Sequence, residues 1–183
     1  MRLRASLLLL LLFGIQFALA QGFVVSVDGE PFTKKFVGKP PGGDKLLEFV
    51  RESESFEQWT KLVGFRYQQL PGLGNDPVQM AVALAQKVKA SNPKAQSSVI
   101  TNKDRTEAIV DFVTWPPDGK FMEFNVFRYV RSQDGKAVVS LQLAHRFSDT
   151  SPAGTERFRN LRQSWVKQAA AFDMLIVHRA LAQ

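Results

Sequence analysis

The chain has 183 residues, with 24 lysines and arginines against 17 acidic residues, two histidines and no cysteine, for a net charge of +7. A chain without cysteine forms no disulfide and offers no thiolate for zinc or an iron–sulfur cluster, and two histidines alone make a poor zinc or haem site. No metal and no cofactor is therefore expected.

Residues 1–20 read as a secretory signal peptide. Arg2 and Arg4 form a basic start, Leu7 to Leu12 are consecutive leucines followed by Phe13-Gly14-Ile15, and Ala18 and Ala20 supply the small residues before a cut ahead of Gln21. The apolar stretch is too short and wrongly flanked for a stable spanning helix. Cleavage would leave 163 residues, enough for one domain with a sizeable core. The mature balance would be 22 basic against 17 acidic residues, or +5. No cysteine follows the signal to carry a lipid, and no second long apolar stretch occurs. A soluble periplasmic or secreted protein is expected. In that setting a mildly basic surface suits an anionic lipid surface, a cell-wall polymer or an acidic envelope protein, not nucleic acid.

Residues 21–45 contain FVVSV and PFTKKFV around Asp28-Gly29-Glu30, a hairpin or two edge strands, and then the loop KPPGGDK (39–45). Whether this segment packs on the sheet or trails from it is open. Residues 46–183 form the main domain. Leu46 to Arg51 is a strand. In EFVRESESFEQWTKL (48–62), Ser55 and Gln58 have capping-box spacing, which predicts one helical turn at FEQW, and Thr60 to Leu70 reads as a strand. Trp59 then faces inward as a packing anchor at the joint. Asp76-Pro77 starts a helix, with Val78, Ala81, Val82, Ala85 and Val88 on one face, and Asn92-Pro93 ends it.

SSVIT (97–101) adds a strand. Thr106–Trp115, Lys120–Arg131 and Ala137–Phe147 follow as an antiparallel meander, punctuated by Asp118-Gly119 and Asp134-Gly135. In the last of these Ala137, Val139, Leu141, Leu143, His145 and Phe147 share a face. The first is apolar on both faces, so helices should cover both sides of the sheet. One long helix runs from about Glu156 to His178, with a stripe of Phe158, Leu161, Trp165, Ala169, Phe172 and Ile176.

Chemistry is thinly marked. His145 on an apolar strand face reads better as a partly buried core histidine than as a base, because a base needs positioned partners. His178 reads as a cation favoured by a helix C-terminus. Glu48, Asp111 and Glu123 lie on strands and could form the carboxylate pair of a hydrolase only if they converge. No Gly-x-Ser-x-Gly elbow occurs. Gly72-Leu73-Gly74 lacks the rest of a phosphate loop, and Asp76 puts negative charge where a phosphate would sit. Arg157, Arg159 and Arg162 make a basic helix face, and Trp115 before Pro116-Pro117 sits where it could cover a pocket rim. With His145 they are the candidate ligand or partner surface.

A strand ending in Glu-x-Val, an acidic Ser/Glu turn, and a Trp-Thr pair before the next strand are carried here by Glu48, Val50, Glu54, Trp59 and Thr60. This pattern resembles small, mostly uncharacterised secreted proteins of Gram-negative bacteria whose architecture is similar to the PsbP-like group. The resemblance covers roughly residues 46–180, and its sharp motif is about fifteen residues long. It implies an α+β fold, an α/β/α sandwich with a largely antiparallel sheet flanked by helices. It also implies an accessory or binding role without a shared catalytic set. The reading that follows is a non-catalytic periplasmic protein that binds an envelope protein or a small ligand. The alternatives are an envelope hydrolase using carboxylates or His145, and a carrier of a small apolar ligand.

Overall fold

A computed structural model of the chain describes residues 24–116, 119–149 and 151–183. The signal-cleavage residues Ala18, Ala20 and Gln21 lie outside the described residues. Strands β1 (Val25–Val27) and β2 (Glu30–Phe32) form an antiparallel hairpin. Its turn residues Asp28 and Gly29 both have positive φ, 54° and 75°, as a tight turn matched to strand twist requires. The hairpin is not a trailing arm. Val25, Val27 and Phe32 are buried in the main core, and the Asp28 carboxylate accepts a 2.6 Å hydrogen bond from Trp165 Nε1. Strand β3 (Lys34–Gly38) then pairs with β4 (Lys45–Val50), so the Pro/Gly loop is a connection within the domain.

The remaining elements are β5 (Lys61–Gln68), α1 (Pro77–Ser91), β6 (Gln96–Thr101), β7 (Glu107–Thr114), β8 (Met122–Arg131), β9 (Val138–Phe147), α2 (Pro152–Ala171) and α3 (Met174–Ala182). Strands β3 to β9 make one antiparallel sheet in the order β3-β4-β5-β9-β8-β7-β6. The expected α+β class with a flanked antiparallel sheet is what the chain adopts. Helix α1 lies on one face, over β6, β7 and β8, while α2 and α3 lie on the other. The two-faced pattern of β7 follows from this. Ala108, Val110 and Phe112 pack with Val78 and Ala81 of α1, whereas Ile109 and Val113 join the core beneath α2. Helix α1 starts as its sequence dictates. The Asp76 carboxylate accepts from the amides of Val78 and Gln79, with Pro77 in the first turn.

Two expectations are corrected. Residues 56–58 form bends, and 55–59 hold no helical turn. Ser55 Oγ does accept from Gln58 N at 3.1 Å, but Glu54 directs the chain. Its Oε1 accepts from Thr60 N (2.8 Å), Thr60 Oγ1 (2.6 Å) and Arg51 Nη2 (2.7 Å), which pulls the chain back onto the sheet before a helix can propagate. The expected long C-terminal helix is also two helices, broken at Phe172-Asp173. Arg128 of β8 causes the stop. Its Nη1 donates to the carbonyls of Ala169 (3.2 Å), Ala170 (2.8 Å) and Phe172 (2.9 Å), satisfying the open end of α2. Asp173 then caps α3 by accepting from Leu175 N. The break changes the helical phase, so Met174, Val177, Ala180 and Leu181 form the buried stripe of α3 in place of Ile176.

Candidate functional site

The last residues of β9, the start of β8, the end of β7 and the first turns of α2 enclose a two-part cleft. One part, of about 190 Å³, is lined by His145, Phe147, Asp149, Arg157, Phe158 and Leu161. The adjoining part, of about 220 Å³, shares Phe147, Asp149 and Phe158 and adds Lys94, Val113, Trp115 and Met122. The phenyl rings form a stepped wall. Phe147 stacks on Phe158, which meets Phe124 edge-on, both with ring centroids 5.2 Å apart.

A close backbone approach sets the mouth. Gly154 lies in the first turn of α2, and a Cβ there would stand 2.6 Å from Asp149 Cγ and closer still to its carbonyl oxygen. Only glycine lets the Asp149 segment pack against the helix start. Asp149 then pairs with Arg157, and its carboxyl is held below its ordinary value, first by the Ser151 hydroxyl and amide.

His145 forms the inner end. Its Nδ1 donates to the Thr60 carbonyl at 2.8 Å, which leaves Nε2 as the free ring nitrogen of the neutral form. Its ring packs 5.8 Å from Trp165 and 5.9 Å from Phe147. Burial, with the charges of Lys61 and Arg51, lowers its pKa below 6.5 against the pull of the Thr60 carbonyl. His145 is thus a neutral, partly buried packing residue that edges the cleft.

The cleft brings together Trp115, His145 and Arg157, three of the five residues singled out from sequence. Arg159 points to solvent and pairs with Glu156. Arg162 reaches back to the sheet and grips the buried Asp111 through Nε (2.7 Å) and Nη2 (2.9 Å). His178 departs from its expected role. It lies in the middle of α3, half-buried beside Tyr67 and Leu181, and burial lowers its pKa, so the neutral form is favoured over a dipole-stabilised cation.

The three strand carboxylates do not converge. Asp111 faces α2, while Glu48 and Glu123 are on the opposite face. Three strand spacings and four residues along β8 put those two about 20 Å apart, well beyond the span of a glycosidase pair. Each is tied to an arginine, Glu48 to Arg66 and Glu123 to Arg146. Among the described residues no cluster of three or more His, Asp or Glu side chains is placed to hold a metal ion. No described helix is long and apolar enough to cross a membrane.

Two polar networks were not anticipated. On the face opposite α2, Arg66 lies flat across the sheet to Gln142, over the Phe127 ring, and Gln142 Nε2 donates to Asn125 Oδ1 at 2.7 Å. Gly64 leaves room for this, since a Cβ there would sit 3.0 Å from Gln142 Oε1. A lone glycine inside an apolar strand was the available signal. At the joint, Arg51 links Glu54 and Glu30, and Glu30 also pairs with Lys61. Arg146 stacks on Trp59 at 3.6 Å, and Trp59 packs beside Val50, Leu62 and Ala144. The joint that carries the Glu54, Trp59 and Thr60 motif is therefore a structural fastening.

A family model matches residues 23–174, most of the described chain. The chain belongs to that family, which is uncharacterised. No curated protein and no solved structure matches it. Membership fixes no activity, and the geometry above carries the functional argument.

Proposed function

We propose that this is a soluble periplasmic, non-catalytic accessory protein that binds an envelope partner through the aromatic cleft. Export rests on the signal-like residues 1–20, with cleavage after Ala20. The layer order of helices on both faces of an antiparallel sheet is what a PsbP-like architecture implies, and that supports the same reading. The observation that carries it is the size and wall of the cleft. The two adjoining parts, about 190 and 220 Å³, together reach only the lower end of the ~300–1,000 Å³ of sites that enclose a drug-sized molecule. The cleft fits a ring or an apolar side chain, with the Arg157 guanidinium and Lys94 ammonium at its edges. This cleft is too small to enclose a whole lipid.

Native mass spectrometry of mature protein released gently from the periplasm tests this. The expected result is a chain beginning at Gln21 without a bound small molecule. In-cell cross-linking from a photoreactive residue at position 157 should then yield a discrete envelope-protein adduct, lost in Phe158→Asp protein that retains its fold. A stoichiometric added mass of a few hundred daltons would overturn the protein-partner reading in favour of a carrier.

A further inference from the structure

The two edges of the large sheet are treated differently. Strand β3 is blunted by Lys34 and Lys35 and runs into Lys39-Pro40-Pro41, the charges and prolines that discourage edge pairing. Strand β6, Gln-Ser-Ser-Val-Ile-Thr, has no charge, proline or glycine in six residues. It pairs only with β7 among the described residues, so its outer edge presents free backbone donors and acceptors. Val99 and Ile100 stand exposed on it, at 37% and 47%.

The face of β6 on the α2 side is also furnished. Gln96, Ser98 and Ile100 lie opposite Val113, Asp111 and Ile109 on that face. Helix α2 packs chiefly over β7, β8 and β9, leaving β6 beyond its shelter. An apolar hollow lies at each end. At the Gln96 end is the Trp115 part of the cleft, with Val113 and Met122. At the Ile100 end, a hollow of about 280 Å³ is walled by Ile100, Ala108, Ile109 and Ala170. Four residues of strand separate them, about 13 Å. A strand laid along β6 projects its residues i and i+4 onto this face at that spacing.

We propose that the free edge of β6 is a strand-addition site for an extended segment of a partner protein with apolar side chains four residues apart and acidic flanks. Main-chain hydrogen bonds along the edge supply affinity and the two hollows supply specificity. The flanking preference follows from charge. Lys94 precedes the strand, and Lys103 and Arg105 follow it with Asp104 the one acid between them. Antiparallel pairing of two copies would set Lys94 of each near Lys103 and Arg105 of the other, which disfavours self-association through this edge. The proposal rests on the binding-protein reading and names the chemistry of its partner.

The probe is an array of decapeptides with Asp-Glu at both ends and six randomised interior positions, incubated with mature protein and with Ile100→Lys, Ser98→Lys and Phe158→Asp variants. Wild type should enrich peptides with apolar residues at i and i+4. Ile100→Lys, at an exposed edge position, and Ser98→Lys, at a half-buried one, should each weaken binding of the best peptide by about tenfold or more, and Ile100→Lys should leave the melting temperature unchanged. Hydrogen exchange should show new protection in residues 96–101 on binding.

No enrichment, enrichment without the i, i+4 spacing, or binding unmoved by both lysine variants overturns the proposal. A concentration-dependent dimer abolished by Ile100→Lys overturns it in favour of self-pairing. If both lysine variants still bind like wild type and Phe158→Asp alone loses binding, the edge reading fails while the cleft reading survives.

Discussion

Glu54 sets the joint between β4 and β5, and its protonation should be visible in the stability of the whole domain. Its side chain is 8% exposed. Burial by itself would raise its pKa. Hydrogen bonds from Arg51 and from the Thr60 hydroxyl and amide outweigh burial and bring it from an ordinary 4.5 to about 2. At about 1.4 kcal/mol per pH unit this difference is worth about 3 kcal/mol of folding stability at neutral pH. The sign follows from the lowered value. The contribution is complete above the unfolded pKa near 4.5 and is lost as pH falls through about 2. Linkage leaves about half of it at pH 3.

The perturbation is Glu54→Gln, which keeps an acceptor oxygen but removes the charge that Arg51 faces. Urea unfolding of wild type and variant, compared at pH 7 and pH 3, isolates this group from the other carboxylates. The expected gap is about 3 kcal/mol at pH 7, shrinking to about half at pH 3. A gap that is the same at both pH values, or below about 1 kcal/mol at pH 7, would refute the reasoning.

Gly154→Ala forces a Cβ into the Asp149 backbone and should cost about 1–3 kcal/mol, seen as a melting temperature lower by several degrees. Trp165→Ala, at a position 1% exposed, should cost about 3–5 kcal/mol. Trp59→Ala should cost visibly less, because its ring is half-buried and held largely by Arg146; equal losses in thermal denaturation would contradict this. Arg128→Met leaves the carbonyls of Ala169, Ala170 and Phe172 without this donor, and amide exchange should accelerate selectively in the last turn of α2. The imidazole of His145 should titrate below 6.5 in NMR, so its contribution to stability is present above pH 6.5 and declines as pH falls toward the folded value; a midpoint above 6.5 would contradict the burial argument.

The cleft was half legible. Trp115 before two prolines, and His145 at the end of an apolar strand, were visible because each stands out against its own strand. Their meeting was not, since it depends on β7 and β9 lying on either side of β8 and on α2 starting where Gly154 lets it. The basic stripe misled in part for a related reason. Arg157, Arg159 and Arg162 share a helix segment, but their partners Asp149, Glu156 and Asp111 lie on a loop, on the same helix and on a strand, so one patch in sequence becomes three separate ion pairs.

Local chemistry alone settled the Asp28-Gly29 turn, the Asp76-Pro77 helix start, the strand meander and the two-sided burial of β7. Each of these is dictated by backbone preference or by a period of two or 3.6 within a few neighbouring residues. The tertiary structure alone decided the C-terminal break, the bends at 56–58 and the docking of the first hairpin. The helix stops because Arg128 arrives from a strand 41 to 44 residues earlier, and the hairpin docks because Asp28 meets Trp165 across 137 residues. A polar group brought from so far away competes with the local hydrogen-bond ladder only once the chain has collapsed, and no periodicity in the sequence records its arrival.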